Sequence, residues 1–479
     1  MSRFKIREAH GYVLPVETRM PFHFGIAVMR RMPHLFLEVS LERNGKLATG
    51  MAADHLVPKW FTKNPDTTYG DDIRELREVV SAACRIAEEA SGEATPFNLW
   101  WEIYHEQHRQ AEARGWPPLL ASFGASLIER ALLDAFCRLE RKPLSFVLRE
   151  NSAGIDLGRI HQELAGRAPS EFLPAVPSFS VAARHTVGLG DPLDGEDLKS
   201  GEWPEDGLPV SLEDCIGTYG LSRFKIKIAA DSAGNIRRLI AIAALLDRAT
   251  SGNYRCTLDG NESYRRIGDF RDFWRRVTET PELEQWLGHL DFVEQPLHRD
   301  VALEDGIRDA FGGSPPRMAI DESDATLDSL PLALDRGYEG TTHKNCKGVF
   351  KSVANLALLL HRARPFLFSG EDLSNIGPVA LLQDLCVAQN LGLDNIERNG
   401  HHYFRGLSNF PRSLWKPLIE AHPDLYRELP DGCPAVRIEN GILSSASLHS
   451  EGLGPAFDID PKLFTPLEEW QAKSFDSGM

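Results

Sequence analysis

The chain has 479 residues, a formal net charge of −16, 42% hydrophobic residues and 25% charged residues. At roughly 100–200 residues per domain, this length holds two or three structural units and a large core. The negative balance excludes a nucleic-acid phosphate surface, which needs clustered Lys and Arg, and the longest apolar run, Leu239 to Leu246, is far short of the roughly 20 residues of a membrane span.

The opening MSRFKIREAHGYVLP carries no apolar stretch of signal-peptide length, so a cytoplasmic protein with neither membrane nor nucleic-acid partners is expected. The seven cysteines are scattered without a C-x-x-C, which reads as reduced structural thiols.

Residues Phe4 to Leu14 and Pro33 to Ala48 read as strands, the second alternating through Leu35, Leu37, Val39 and Leu41 toward an Arg43-Asn44-Gly45-Lys46 turn. Helical patterns follow at Asp71 to Glu89 and Ser122 to Leu139, so residues 1–150 are expected to form an α+β unit. Between them, His105-Glu106-Gln107-His108 resembles a zinc motif, but its histidines stand three apart rather than four, which leaves an ordinary surface helix.

From about Ala175 the rhythm changes to short apolar strands alternating with amphipathic helices: RFKIKI, CTLD, DFVEQP, RMAIDES, PFLFSG and DNIERNG mark successive strands. This series fits a TIM-type barrel over residues 151–405 or a doubly wound sheet, and no G-x-G-x-x-G supports dinucleotide binding. Residues 406–479 turn Pro- and Gly-rich and read as a return onto the first unit.

In a barrel, strand C-termini form the active-site mouth. Asp259, Glu294 and Asp321 end consecutive strands, and three such acids repel one another unless a cation lies between them, which suits octahedral Mg²⁺. With a period of two, Phe224, Ile226 and Ile228 face one side of their strand and Lys225 and Lys227 the other. Turned into the mouth, two neighbouring ammonium groups disfavour each other's protonation, so one is expected to serve as a base. Lys344, in THKNCKG, lies beyond the acids on the other side. A base on either side of a cation suits removal of a proton next to a carboxylate.

The ordered series K-I-K, D-G-N, V-E-Q-P, I-D-E-S and H-K-N-C-K-G resembles the enolase superfamily, in its mandelate racemase/muconate-lactonizing branch with a Lys/Lys site. That resemblance implies a (β/α)7β barrel under an α+β capping domain built from the N-terminal region and the C-terminal segment. It implies Mg²⁺ on Asp259, Glu294 and Asp321, an acid/base pair of Lys227 and Lys344, and Lys225 holding a substrate carboxylate oxygen. Thr18 to Gly25 (TRMPFHFG) is similar to the family's mobile cap loop, so His23 and Phe24 are expected to contact a small carboxylate substrate, together with Asn261 and Glu397. His185, Glu371 and Asp372 also fall near strand ends, where capping or loop roles are expected, and Arg30 and Arg31 read as a solvated pair.

The implied chemistry is isomerase or lyase: racemisation, epimerisation, dehydration or cycloisomerisation through an enediolate, in a homo-oligomer. A Schiff-base lyase using a barrel lysine and a non-catalytic protein of the same fold are the alternatives. The pattern departs from the family in having one Gly fewer after Lys347, and in extra residues near 188–219 and 414–434.

Overall fold

The computed structural model describes residues 4–25, 27–90, 95–311 and 315–471. The N-terminal region is an antiparallel meander of β1 (Phe4–Phe24), β2 (Ala27–Arg43) and β3 (Lys46–His55). Asn44 and Gly45 both take positive φ, 51° and 77°, the pairing a tight hairpin requires, so the β2–β3 turn falls where the sequence places it. The strands are longer than their apolar runs suggest. Thr18–Phe24, read as a loop, continues β1 after a register shift between Glu17 and Phe22, and β3 reaches His55. Pairing across the meander satisfies backbone groups that the polar side chains there give no hint of.

Helices α1 (Tyr69–Glu89) and α3 (Pro118–Glu140) pack on this sheet, and α2 (Pro96–Arg114) packs against both of them. Thr68 and Asp71 form a reciprocal capping box at the start of α1. Thr95 caps α2, and Gly115 ends it in the left-handed conformation. The H-E-Q-H segment lies within α2, where His108 Nε2 meets Ser122 Oγ at 3.0 Å. From Leu119 through Cys137, α3 is buried on every face, because it is wedged between the sheet and the barrel.

The backbone of α3 comes close at Gly50 of β3, where a Cβ would sit 2.1 Å from the Ala135 nitrogen and 2.3 Å from the Ala131 oxygen. Backbone cannot yield as a side chain can, so Gly50→Ala is expected to lose at least about 1–3 kcal/mol. Chemical denaturation would show this as a lower midpoint at unchanged slope.

Eight parallel strands follow: β4 (Ser180–Val187), β5 (Arg223–Lys227), β6 (Arg255–Asp259), β7 (Leu290–Glu294), β8 (Met318–Ile320), β9 (Gly340–His343), β10 (Leu367–Gly370) and β11 (Asn395–Arg398). Each pairs with the next, and β11 pairs with β4 with Arg398 beside His185, which closes the barrel. Ile442–Ser444 adds an antiparallel strand outside β4, and Thr465–Pro466 pairs with β1 of the N-terminal sheet. The connections differ from a strict (β/α)7β series in one place. Among the described residues, β7 leads to β8 through turns and a 3-10 turn at Arg308–Phe311 without an α-helix. Gly306, Pro315 and Pro316 in that stretch oppose a helix.

All seven cysteines are buried and unpaired. Among the described residues no helix is long and apolar enough to cross a membrane.

Candidate active site

Barrel register explains how the charged strand ends meet. Lys227 is paired with Asp259 and Asp259 with Glu294, so three neighbouring strands bring these residues to one level. Glu294 is paired with Ala319, which puts Asp321 two residues further toward the mouth. Phe224, Ile226 and Ile228 are buried on the helix side, as the alternation requires, and Lys225 and Lys227 point inward.

Lys225 is completely buried, and its ammonium is the hub of the site. It lies 2.7 Å from Glu294 Oε2, 2.7 Å from Glu371 Oε2, 3.0 Å from Glu397 Oε2 and 3.0 Å from Asp259 Oδ2. Burial alone would lower its pKa, but the four carboxylates outweigh burial and hold it well above the usual lysine range. Repulsion between Lys225 and Lys227 is therefore not the governing interaction that their spacing in sequence suggests. Lys227 donates to Asp259 Oδ2 at 2.6 Å. Lys344 donates to Asp321 Oδ2 at 2.6 Å and lies 4.4 Å from the centroid of the Trp60 ring.

Asp321 is engaged on several sides. Besides Lys344 it takes Lys347 at 3.1 Å and the Thr342 hydroxyl at 2.5 Å, while Gln295 Oε1 accepts from its backbone nitrogen at 2.8 Å. Burial opposes its ionisation, yet Lys344 and Lys347 hold it well below the usual carboxylate range. Glu294 moves the other way: burial, then the charges of Asp259 and Glu371, push it well above its usual range. Glu397 accepts from Thr186 Oγ1 at 2.7 Å, and Lys225, Lys227 and Lys344 together overcome its burial and keep it ionised. Burial and the charges of Glu262 and Asp321 raise Glu322 to about 7, and it faces the Asn261 amide at 3.3 Å.

Asn261, Glu262 and Gln295, just past the ends of β6 and β7, adopt φ of 39°, 65° and 34°. Three non-glycine residues in this region cost about 1–3 kcal/mol each, and such strain concentrates where function over-determines the backbone.

One cavity lies over these groups. The barrel supplies Lys227, Asn261, Lys344, Asp372, Glu397 and Asn399, and the N-terminal region supplies Phe22, Phe24, Met29, Val57 and Trp60. Phe24 and Asn261 thus stand where substrate contact is expected of them. His23 does not: on the other face of β1, its ring packs 3.0 Å from where a Cβ on Gly190 would be, and Phe22 takes the place assigned to it. Arg31 pairs with Glu17 at 2.8 Å, away from the cavity.

Glu371, read as a capping or loop residue, instead joins Lys225 and Arg184 inside the barrel. Asp372 lines the cavity, its carboxyl raised to about 6 by burial against the opposing charge of Arg398. The aromatic wall escaped the sequence reading because Phe22 and Trp60 look like any core residue until the fold brings them over the lysines. The Glu371-Asp372 pair directly after PFLFSG was the available signal for the two acids.

No family model matches the sequence, and no curated protein matches it. Solved structures do match in fold. A dipeptide epimerase from Enterococcus faecalis V583, solved with Mg and L-Leu-L-Tyr, is 14% identical, with 94% of this chain and 99% of that chain covered at a TM-score of 0.59. An N-succinyl Arg/Lys racemase from Bacillus cereus ATCC 14579 is 14% identical over 98% of both chains, with a TM-score of 0.60. A muconate lactonizing enzyme from Pseudomonas fluorescens, solved with muconolactone, is 14% identical over 96% of this chain and 98% of that one, at 0.59. Likeness at this level of identity shows the fold alone, a barrel with an N-terminal capping region that these structures share.

Proposed function

We propose that the chain is a Mg²⁺-dependent enzyme that abstracts the α-proton of a carboxylate substrate, with racemisation, epimerisation, dehydration or cycloisomerisation as the outcome. The observation that carries this reading is that Lys227 and Lys344 open into the same cavity from strands on opposite sides of the acid series. A substrate α-carbon between them would present one face to each amine, the geometry required for proton removal and return.

The donor set fits a hard divalent cation. Asp259 and Glu294 already converge on one positive centre, the Lys225 ammonium, and Glu294 is destabilised as an anion by its acidic neighbours. Asp259, Glu294 and Asp321 would hold Mg²⁺. When bound, it would supply the positive charge these acids now draw from lysines, and so stabilise negative charge on the substrate carboxylate. The residues of the chain do the rest. Lys225 remains anchored between Glu371 and Glu397 and presents a cation to a carboxylate oxygen, while Lys227 and Lys344 exchange the proton. Phe22, Phe24 and Trp60 exclude water, which would otherwise quench the carbanionic intermediate.

That wall bears no charge and is mostly aromatic, so the substituent it meets is apolar or aromatic. The test is a panel of α-substituted carboxylates incubated with enzyme and Mg²⁺ in D₂O, with NMR reporting loss of the α-proton signal. Exchange is expected for members with apolar substituents ahead of charged ones, and absence of exchange across the panel would contradict the reading. Phe24→Ala should then lower kcat/KM for the best substrate by about 10–100-fold, the worth of one buried aromatic contact. Comparing Phe24→Ala with His23→Ala in the same assay would show whether the effect belongs to the cavity face of β1, since His23→Ala should change little.

A further inference from the structure

A second cluster lies outside the barrel wall, on the seam where β11 pairs with β4. Arg184 and Thr186 of β4 point into the barrel toward Glu371 and Glu397, so His185 between them points out, into the layer that helices normally fill with apolar side chains. There it meets Cys215, on the helix Leu212–Tyr219 of the crossover to β5, and His402, on the turn of helix Gly400–Tyr403 that follows β11. The sulfur and one ring nitrogen of each histidine all lie within 4.8 Å of one another, and all three residues are buried.

We propose that His185, Cys215 and His402 form a structural Zn²⁺ site that ties β4, its crossover helix and the end of β11 together at the barrel's closure. Cys215 Sγ and His402 Nδ1 are 3.5 Å apart. A sulfur at about 2.3 Å and a nitrogen at about 2.0–2.1 Å from a tetrahedral zinc stand about 3.5 Å from each other, so this edge already has the required length. A thiolate with imidazoles is the donor set that zinc favours, whereas Mg²⁺ takes oxygen. The surroundings match those of metal-bound histidines. The other nitrogen of His402, Nε2, faces Asp191 Oδ2 at 3.7 Å, and Asp191 is itself fixed by the Tyr403 hydroxyl at 2.5 Å and the Gly188 nitrogen at 2.7 Å. His401 Nε2 stands 3.1 Å from His185 Nδ1, and its own Nδ1 is buried without a partner. Metal entry would expel the thiol proton of Cys215 to solvent as the sulfur–zinc bond forms.

Because the cluster is buried, the metal would load as the chain folds. The experiment is to produce the full-length protein in cells supplied with Co²⁺, wash it with a chelator and excess Mg²⁺ to clear the acidic site, and record metal content and the near-ultraviolet spectrum. One equivalent of cobalt with a sulfur-to-cobalt charge-transfer band is expected, and Cys215→Ser should lose the band while Cys256→Ser, away from the cluster, keeps it. Asp191→Asn leaves the ligands in place and should release cobalt to chelator about 10–100-fold more readily. Wild-type protein that retains no cobalt, or a charge-transfer band that persists in Cys215→Ser, would overturn the site. Should Cys215→Ser fail to fold, the wild-type spectrum and the Asp191→Asn release still decide.

Discussion

Lys227→Ala is expected to abolish α-deuterium exchange from one enantiomer of a chiral substrate while leaving exchange from the other, and Lys344→Ala to show the mirror result. The two amines reach the cavity from β5 and from the turn after β9, on either side of the strands that carry the acids. A base that must approach one face of a carbon cannot serve the other face without moving several ångströms. Loss of a positioned acid or base lowers the rate by about 10²–10⁴-fold. NMR of both variants with both enantiomers in D₂O gives the full matrix. Equal loss from both enantiomers in each variant would mean that the lysines act as one electrostatic unit, and a one-base dehydration would then replace racemisation or epimerisation as the outcome.

The second large effect concerns stability. Lys225→Met should destabilise the metal-free protein by about 3–5 kcal/mol, because it leaves Asp259, Glu294, Glu371 and Glu397 buried around a vanished charge. Of the four, Glu371 keeps Arg184, Asp259 keeps Lys227 and Glu397 keeps Thr186, so Glu294 suffers most. Addition of Mg²⁺ should return part of the loss, since a cation held by Asp259 and Glu294 stabilises the folded state by mass action. Denaturation of wild type and variant with and without Mg²⁺ would measure this. An Mg²⁺-induced stabilisation in the variant no larger than in wild type would show that the acids and the metal do not share the charge.

Much of this site is legible in the sequence because the barrel converts linear order into angular order. Lys227, Asp259, Glu294, Asp321 and Lys344 occur at the ends of consecutive strands, and the parallel register sets the first three of them at one level. Alternation in RFKIKI also gives the lysines their direction. What the sequence hides depends on distance. Glu371 reaches Lys225 from across the barrel interior, and nothing within its own strand distinguishes that role from capping a helix. Phe22 and His23 differ by one residue, and a register shift in β1 decides which of them faces the cavity. The outer cluster shows the same limit: Cys215 and His402 are 187 positions apart and meet only because the barrel closes.

The most direct test of the account follows the α-proton of the best substrate in D₂O by NMR, comparing wild type supplied with Mg²⁺ with the Lys227→Ala/Lys344→Ala double variant under the same conditions. The account predicts that wild type washes deuterium into the α-position and that the double variant does not, although it still binds Mg²⁺ through Asp259, Glu294 and Asp321. Exchange at the wild-type rate by the double variant would contradict it, because the proton would then be leaving to some group other than these two lysines.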